Sequence, residues 1–585
     1  MENFEIANLL NDYAALLDIQ GDSRFRIRSY RKAAQTLQGL SRPVEQLLQE
    51  EEDLADLPGI GKRMVEHLQE IVETGTLAAL DKIQKQTPRS LAELTDLDSV
   101  GPKKAKQLYD QLGIASLSEL QTALDSGKVE TLAGFGRKSV ENLRRALKEV
   151  NERARRLKLA DADQLVQPLL AYMREAPGID ELEVAGSFRR RKETVGDVDI
   201  LAACDTPQPV MKHFRSYPQR KRVESAGGTR GTIVLRSGLH VDLRIVPRRS
   251  YGAALHYFTG SKAHNVSVRK LGVERGLRIN EYGVFRVPRG KKAEELGKQE
   301  GKRIGGEKEE DVFRAVGLTW TPSELREDRG EIQAAQADAL PALITLDDIR
   351  GNLHMHSTWT DGADSIDAMV QACKDLGYAY CAITDHSRST RVAGGLDAGG
   401  FKKQWQEIEK IRSRLKGIEL LRGVELDILS DGSLDLPDDI LKDFDLVVVS
   451  IHAHLRMPKK QMTKRVCRAL VHPAVDILAH PTARLINQRE PIALDLEEVF
   501  KTAKEHGVAL ELNAQPERLD LRDVHVHRAR DVGVQIAINS DAHSAENLRS
   551  LRYGVDQARR GWLEKKHVIN TMTWRQFDKW LRRRR

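Results

Sequence analysis

The fourteen residues Gly186–Asp199, GSFRRRKETVGDVD, decide how the middle of this chain folds and what it handles. Before them, Leu182-Glu183-Val184-Ala185 reads as the end of a short strand; after them, Ile200-Leu201-Ala202-Ala203 continues an apolar one. Alternate side chains of a strand share a face, so Asp197 and Asp199 are predicted to point the same way. Two carboxylates on one face repel unless a cation lies between them. Mg²⁺ takes carboxylate oxygens and keeps positions open for substrate phosphates. Gly186-Ser187 supplies a close-approach turn with backbone N–H groups and a hydroxyl, and Arg189, Arg190, Arg191 and Lys192 supply positive charge. The combination reads as a phosphate cradle beside a metal-binding carboxylate pair, as two-metal phosphoryl transfer requires. An isolated Asp-x-Asp beside an ordinary charge run would carry no such meaning. The difference is a third carboxylate, Asp242 in His240-Val241-Asp242-Leu243-Arg244, on a second alternating stretch that can lie beside the first.

GS…GDVD…VDLR resembles the nucleotidyltransferase signature of the family X DNA polymerases, the family of DNA polymerase beta. The resemblance implies an α+β palm in which Asp197 and Asp199 hold two divalent ions, Mg²⁺ or Mn²⁺, and Asp242 binds the one that activates a primer 3′-hydroxyl. It continues through Tyr257-Phe258-Thr259-Gly260-Ser261, through Asn265 and Arg269 on an expected helix, and through Ile279-Asn280-Glu281-Tyr282-Gly283. These are similar to the nucleotide-binding fingers of the same enzymes. By that resemblance Gly186, Ser187 and Arg190 hold the triphosphate of a deoxynucleotide, and Gly196 allows its close approach. Tyr257, Phe258 and Gly260 sit against its sugar, Asn265 touches the base, and Arg269 contacts the template side. Standing alone, Tyr257-Phe258 would read as core packing. One departure is Lys262, where some relatives carry an acid.

A chain of 585 residues is long enough for about three to five domains. Charged residues make up 31% and the formal net charge is +7, which suits an anionic partner without distinguishing nucleic acid from others. Cys204, Cys373, Cys381 and Cys467 are scattered, with no CxxC, so neither a disulfide framework nor a thiolate zinc site is indicated. No stretch has the shape of a signal peptide or a membrane span, and a cytoplasmic protein is expected.

Residues 1–155 are predicted to be helical, with apolar positions recurring at three and four: Ile6, Leu9, Leu10, Tyr13, Leu16, Leu17. Within them Leu57-Pro58-Gly59-Ile60-Gly61-Lys62 is echoed by Val100-Gly101-Pro102-Lys103-Lys104, and more loosely by Ala133-Gly134-Phe135-Gly136-Arg137-Lys138. Each is a glycine turn after an apolar residue, followed by a basic helix whose first N–H groups can face an anion. One such turn is commonplace; three, each with Lys or Arg behind it, favour DNA. The pattern resembles the helix-hairpin-helix, which grips phosphates without reading sequence. It implies DNA contacts from Gly59, Gly61, Lys62, Gly101, Lys103, Lys104, Gly134 and Gly136. Leu57 to Thr76 also resembles the small N-terminal domain of DNA polymerase beta. His67 stands where some members carry a Schiff-base lysine, so the resemblance does not extend to that lyase step; Lys62 and Arg63 read as phosphate contacts.

From Ile349 onward apolar runs alternate with helical stretches: Tyr380–Ile383, Leu446–Val449, Ile477–Ala479, Val508–Leu512 and Val534–Ile538. Such alternation predicts a parallel β/α architecture, closed into a barrel rather than left as an open sheet. Metal-type side chains follow these strands, where barrels place their active sites. They are His354, His356, Asp361, His386, Glu425, His452, His480, Asp541 and His543. Imidazole and carboxylate together suit Zn²⁺ or Mn²⁺. HxH…TDH…GVE…SIH…AHP…SDAH resembles the polymerase-and-histidinol-phosphatase (PHP) domain. That domain is a distorted (β/α)7 barrel, which implies up to three Mn²⁺ or Zn²⁺ ions held by this set. Arg391, Arg484 and Arg518, beside these motifs, are candidate phosphate contacts. The terminal run Arg582–Arg585 reads as a solvated tail.

The expected chain is multidomain. All-α helix-hairpin-helix modules occupy 1–80 and 81–156, an α+β palm 157–247, fingers 248–322, a polar alanine-rich linker 323–347 and the PHP barrel 348–585. This order matches the bacterial family X DNA polymerases. It implies a monomer that fills gaps in gapped or primed double-stranded DNA from deoxynucleoside triphosphates, in base-excision repair or end joining. A second site would be a 3′→5′ exonuclease, with abasic-site cleavage or 3′-phosphate removal as further phosphoester chemistry. Two other readings stay open: a non-catalytic scaffold for DNA ends, and a phosphatase of small esters joined to a polymerase fold.

Overall fold

The computed structural model describes residues 3–39, 44–49, 54–57, 59–95, 97, 100–136, 139–144, 146–147, 156–290, 297 and 299–583. Pro58, Arg137, Lys138, Arg584 and Arg585, on which parts of the hairpin and tail readings fall, lie outside the described residues.

The palm grows from the alternation around Asp197. Glu181–Val184 (β1) pairs antiparallel with Asp197–Ala203 (β2). Arg220–Ala226 (β3), Arg230–Leu235 (β4) and His240–Val246 (β5) complete a five-stranded sheet in the order β1-β2-β5-β4-β3. β2 and β5 run parallel, in a register that sets Asp199 beside Asp242. Val198, Ile200 and Ala202 of β2 face a core shared with the helix Leu159–Arg174, while Leu201, on the other face, meets Ala254 and Leu255. The sheet is therefore covered on both sides, and the carboxylates stand at its open end.

Beyond the palm, the helices Tyr251–Thr259, Lys262–Glu274 and Glu309–Ala315 pack on a small antiparallel sheet of Leu277–Asn280 (β6), Gly283–Arg286 (β7) and Lys302–Gly305 (β8). The expected linker is folded into this unit. Ile332 and Ala335 join its core, and Glu331 is buried against His264 at 2.8 Å. Arg326 is wholly buried, 2.6 Å from Glu309 and over the Phe313 ring. The polar residues of this stretch supply buried pairs.

The N-terminal helices, including Asn3–Gln20 and Arg24–Gly39, share one apolar core that runs from Ile6 to Leu147 without a break near residue 80. The C-terminal unit is a barrel of seven parallel strands in sequence order. These are Gly351–Asn352 (β9), Tyr380–Ile383 (β10), Glu419–Asp427 (β11), Leu446–Ser450 (β12), Ile477–Leu478 (β13), Ala509–Asn513 (β14) and Ile536–Asn539 (β15). A parallel bridge from Met355 to Ala542 brings the ends of the row together. Helices such as Ile366–Asp375 and Leu496–His506 cover the outside. Palm and barrel are joined by apolar contact as well as by the chain, since Ile486, Leu519 and Tyr553 of the barrel complete the palm core.

Candidate active sites

The palm brings Asp197, Asp199 and Asp242 to neighbouring positions on two adjacent strands. Burial first, and then the charges of Asp197 and Asp242, push the Asp199 carboxyl up to about 6. Asp242 accepts a hydrogen bond from Thr232 Oγ1 at 2.6 Å and lies 3.5 Å from Arg230. This crowding of carboxylates fits a divalent cation. Gly186 closes one side. Its φ is +63°, and a β-carbon there would stand 2.8 Å from Asp199 Oδ2. Gly186 and Ser187 open a single helical turn, Gly186–Arg189, whose first N–H groups edge the site. At Gly196 a β-carbon would meet Arg156 Nη1 at 3.1 Å.

The basic run beside this turn is paired within the fold. Arg189 makes a bidentate pair with Glu309 at 2.7 and 3.0 Å, and Arg191 binds Asp556 of the barrel at 2.6 Å. Arg190, expected on the triphosphate, donates to Glu327 at 3.0 Å and to the Thr259 carbonyl at 2.5 Å. These acids lie more than a hundred positions away in sequence, so the run read as substrate charge is largely neutralised within the fold.

Tyr257 is half-exposed at 36%, edge-to-face with Phe258, and Arg244 stacks over the Phe258 ring at 4.3 Å. Asn265 is buried and donates to the Tyr257 carbonyl at 2.7 Å, and Arg269 donates to the Asn265 carbonyl. Gly260, with φ +67°, ends the helix that carries Tyr257 and Phe258. Tyr257, Asn265 and Arg269 are thereby tied into one hydrogen-bonded unit.

The barrel gathers all nine expected ligands at the C-terminal ends of its strands. Three groups bring one donor atom apiece within 4.8 Å: His356, Asp361, His386 and His543; His354, His356 and Asp541; His386, Glu425 and His452. His480 completes the set at 2.9 Å from Glu425 Oε1. His354 Nε2, His356 Nδ1 and Asp361 Oδ1 are buried and make no hydrogen bond. Orphaned buried donors converging on one point, carboxylates interleaved, fit divalent ions. Burial, with His543 and His386 alongside, pushes His356 down to about 3, whereas at His354 the carboxylates of Glu511, Asp541 and Glu425 outweigh burial and raise it. The backbone at His480 (φ +27°) and Asp541 (φ +50°) is left-handed, a strained conformation that concentrates at functional sites.

An outer layer, which sequence reading passed over, holds the ligands in place. Glu511 Oε1 lies 2.7 Å from His354 Nδ1, and Oε2 accepts from the His480 backbone N–H at 2.7 Å. Asn513 donates to Glu511 and to Asp541, and Asp427 lies 3.2 Å from His452 Nδ1. The available signal was a carboxylate and an amide inside the apolar strand Ala509–Asn513. Of the arginines, Arg518 lies 3.7 Å from Asp541 at the site, and Arg391 is exposed. Arg484 is buried and binds Glu193 of the palm at 2.7 Å, which ties barrel to palm.

Gly59 and Gly134 have φ of +73° and +86°, and Gly61 and Gly101 precede the helices Lys62–Thr74 and Pro102–Leu112. Nothing lies within 4 Å of a β-carbon placed at Gly61, Gly101, Gly134 or Gly136, so these turns stand open. Lys62 and Lys103 are exposed, and Lys104 reaches over the Phe135 ring at 5.3 Å.

Comparison with known proteins agrees along the length of the chain. A helix-hairpin-helix domain family matches residues 1–77, and a SAM-like helix-hairpin-helix tandem matches 91–149. The DNA polymerase beta thumb family matches 254–327, the segment expected as fingers, and the PHP domain family matches 352–515. The chain is 38% identical over 585 residues to the DNA polymerase/3′-5′ exonuclease PolX of Bacillus subtilis (strain 168), covering 100% of each chain. It is 28% identical to DNA polymerase lambda of Rattus norvegicus, over 54% of this chain and 55% of that one. A probable phosphatase of Thermoanaerobacter sp. (strain X514) is 29% identical, over 33% of this chain and 86% of its own.

Proposed function

Because the chain belongs to the bacterial family X DNA polymerases that carry a C-terminal PHP domain, we propose that it is a DNA-directed DNA polymerase with a second, metal-dependent 3′→5′ exonuclease site. The observation that carries this reading is the presence, on one chain, of a carboxylate trio at a palm edge and nine converging ligands in a barrel mouth.

At the palm, Asp197, Asp199 and Asp242 are the metal carboxylates. The N–H groups of the Gly186–Ser187 turn receive triphosphate oxygens, and Gly196 keeps the approach clear. Tyr257, Phe258 and Gly260 bound the sugar, and the backbone there would disfavour a ribose 2′-hydroxyl. Asn265 and Arg269 stand toward base and template, and Arg190 holds the Thr259 carbonyl next to Gly260. At the barrel, the nine ligands form one centre, Glu511 and Asp427 fix the imidazole orientations, and Arg518 is placed to meet a phosphate. Divalent ions, Mg²⁺ or Mn²⁺ at the palm and Mn²⁺ or Zn²⁺ at the barrel, would neutralise phosphate charge and lower the pKa of the attacking group. The hairpins at Gly59–Lys62, Gly101–Lys104 and Gly134–Gly136 hold the duplex by its phosphates. The substrate this suits is a gapped or primed duplex, with gap filling in repair as the outcome.

The test is a 5′-labelled primer on a one-nucleotide gap with a 5′-phosphate, incubated in Mn²⁺ with and without deoxynucleotides. Extension with nucleotides and shortening without them are expected. A folded protein that binds the gap and leaves the primer unchanged would overturn the reading in favour of a scaffold.

A further inference from the structure

The helix Arg24–Gly39 buries Ile27, Tyr30, Ala33, Ala34 and Leu37 in the helical core. Phe25, Arg28, Ser29 and Lys32, spaced three and four apart, share its other face. All four line a cleft of about 1880 Å³ whose opposite wall includes Asp361, His386, His452 and His543. That volume exceeds the roughly 300–1,000 Å³ of a small-molecule pocket. We propose that this helix face is the strand-holding wall of the barrel site, taking a single-stranded DNA 3′ end through Phe25, Arg28 and Lys32. The proposal rests on the nuclease reading above and names where its substrate lies.

Phe25 is 80% exposed on a helix whose other apolar residues are buried, and Val392 at the barrel lip is 82% exposed. An exposed aromatic beside cations is how proteins hold single strands, by stacking on bases and pairing with the backbone. The acids on this wall are largely engaged: Asp18 binds Arg31 at 2.9 Å, Asp12 binds Arg89 at 2.7 Å, and Glu93 sits beside Arg89. Arg28 is exposed and has no ion partner among the described residues. Lys32 crosses over the first hairpin, where a β-carbon at Gly59 would meet Lys32 Cγ at 2.5 Å. Its Nζ donates to the backbone carbonyl of Asp361 at 3.0 Å. A cation of the helical domain is thereby fixed against the backbone of a barrel ligand. Under this proposal a small phosphate ester is held by the centre alone, and a polynucleotide strand by the centre and Phe25 together.

The experiment compares full-length wild type, Phe25→Ala, Phe25→Trp and Arg28→Ala in Mn²⁺. One substrate is a 5′-labelled single-stranded oligonucleotide; the other is the p-nitrophenyl ester of thymidine 5′-monophosphate. The ratio of kcat/KM on oligonucleotide to kcat/KM on ester is expected to fall about ten-fold in Phe25→Ala, within the value of one lost base stack. The loss should lie in KM, Phe25→Trp should restore the ratio, and Arg28→Ala should lower it with a flatter salt dependence. An unchanged ratio in Phe25→Ala and Arg28→Ala would overturn the proposal while leaving the nuclease standing. Wild type inactive on both substrates would overturn the nuclease reading and this one with it.

Discussion

Gly186 and Glu511 each govern a site without being among its metal ligands. At Gly186 the left-handed φ of +63° and the 2.8 Å approach to Asp199 Oδ2 leave no room for a methyl group. Gly186→Ala is expected to lower primer extension about 100-fold, as displacement of a reacting centre by roughly 1 Å does, and to leave primer shortening intact. Glu511 holds His354 and His480 together, so Glu511→Gln is expected to weaken metal binding at the barrel by about 10- to 100-fold. Metal titration of primer shortening would show the shift, and an unmoved midpoint would deny Glu511 that part. The carboxylate trio and the nine ligands were legible because strand periodicity and histidine spacing are local. Glu511 was not, because a carboxylate inside an apolar strand announces burial but not its partner. Nor was the destination of Arg189–Arg191, since a sequence cannot tell a substrate phosphate from Glu309, Glu327 or Asp556 as counter-ion.

Between elements, the decisive feature is the ion-pair chain that ties the palm turn to the barrel. Arg190 binds Glu327; Glu327 meets Arg560 at 3.1 Å; Arg560 binds Asp523 at 2.7 Å, and Arg329 also reaches Asp523. Arg560 is buried, so Arg560→Ala strands buried acids and is expected to cost about 3–5 kcal/mol, read as a lower Tm. Burial alone would raise the Asp523 carboxyl, but Arg560 and Arg329 outweigh it and bring it down from 3.8 to about 2. A depressed carboxylate stabilises the fold above its unfolded pKa and loses that contribution as pH falls through the folded one. About 2 kcal/mol is therefore expected to disappear between about pH 4 and pH 2. Asp523→Asn should flatten that part of the pH–stability curve; an unaltered curve would place the acid sensitivity elsewhere. The β/α alternation foretold the barrel but missed its longest strand, Glu419–Asp427, where Arg422 and Gly423 interrupt the apolar run. The stretch 323–347 reads as a linker because composition reports charge, not whether that charge is paired inside.

For the whole molecule, two chemistries share one structural body. Ile486, Leu519 and Tyr553 finish the palm core from the barrel side, and the helical domain meets the barrel through Lys32. On the proposed hairpin contacts to phosphate, affinity for gapped DNA should fall steeply with salt. Lys62→Ala should reduce the slope of log affinity against log salt by about 1. Salt-insensitive binding would remove the hairpins from the account. The order of domains was readable because each carries its own motif; their contacts were not, because docking surfaces depend on residues hundreds of positions apart.

The central claim is that the two sites act separately on one DNA end. The direct measurement takes Asp199→Ala and His356→Ala, each purified and shown to be folded, to the labelled primer at a one-nucleotide gap in Mn²⁺. Asp199→Ala should shorten the primer and never extend it, and His356→Ala should extend it and never shorten it. Loss of both activities in either variant would contradict the account.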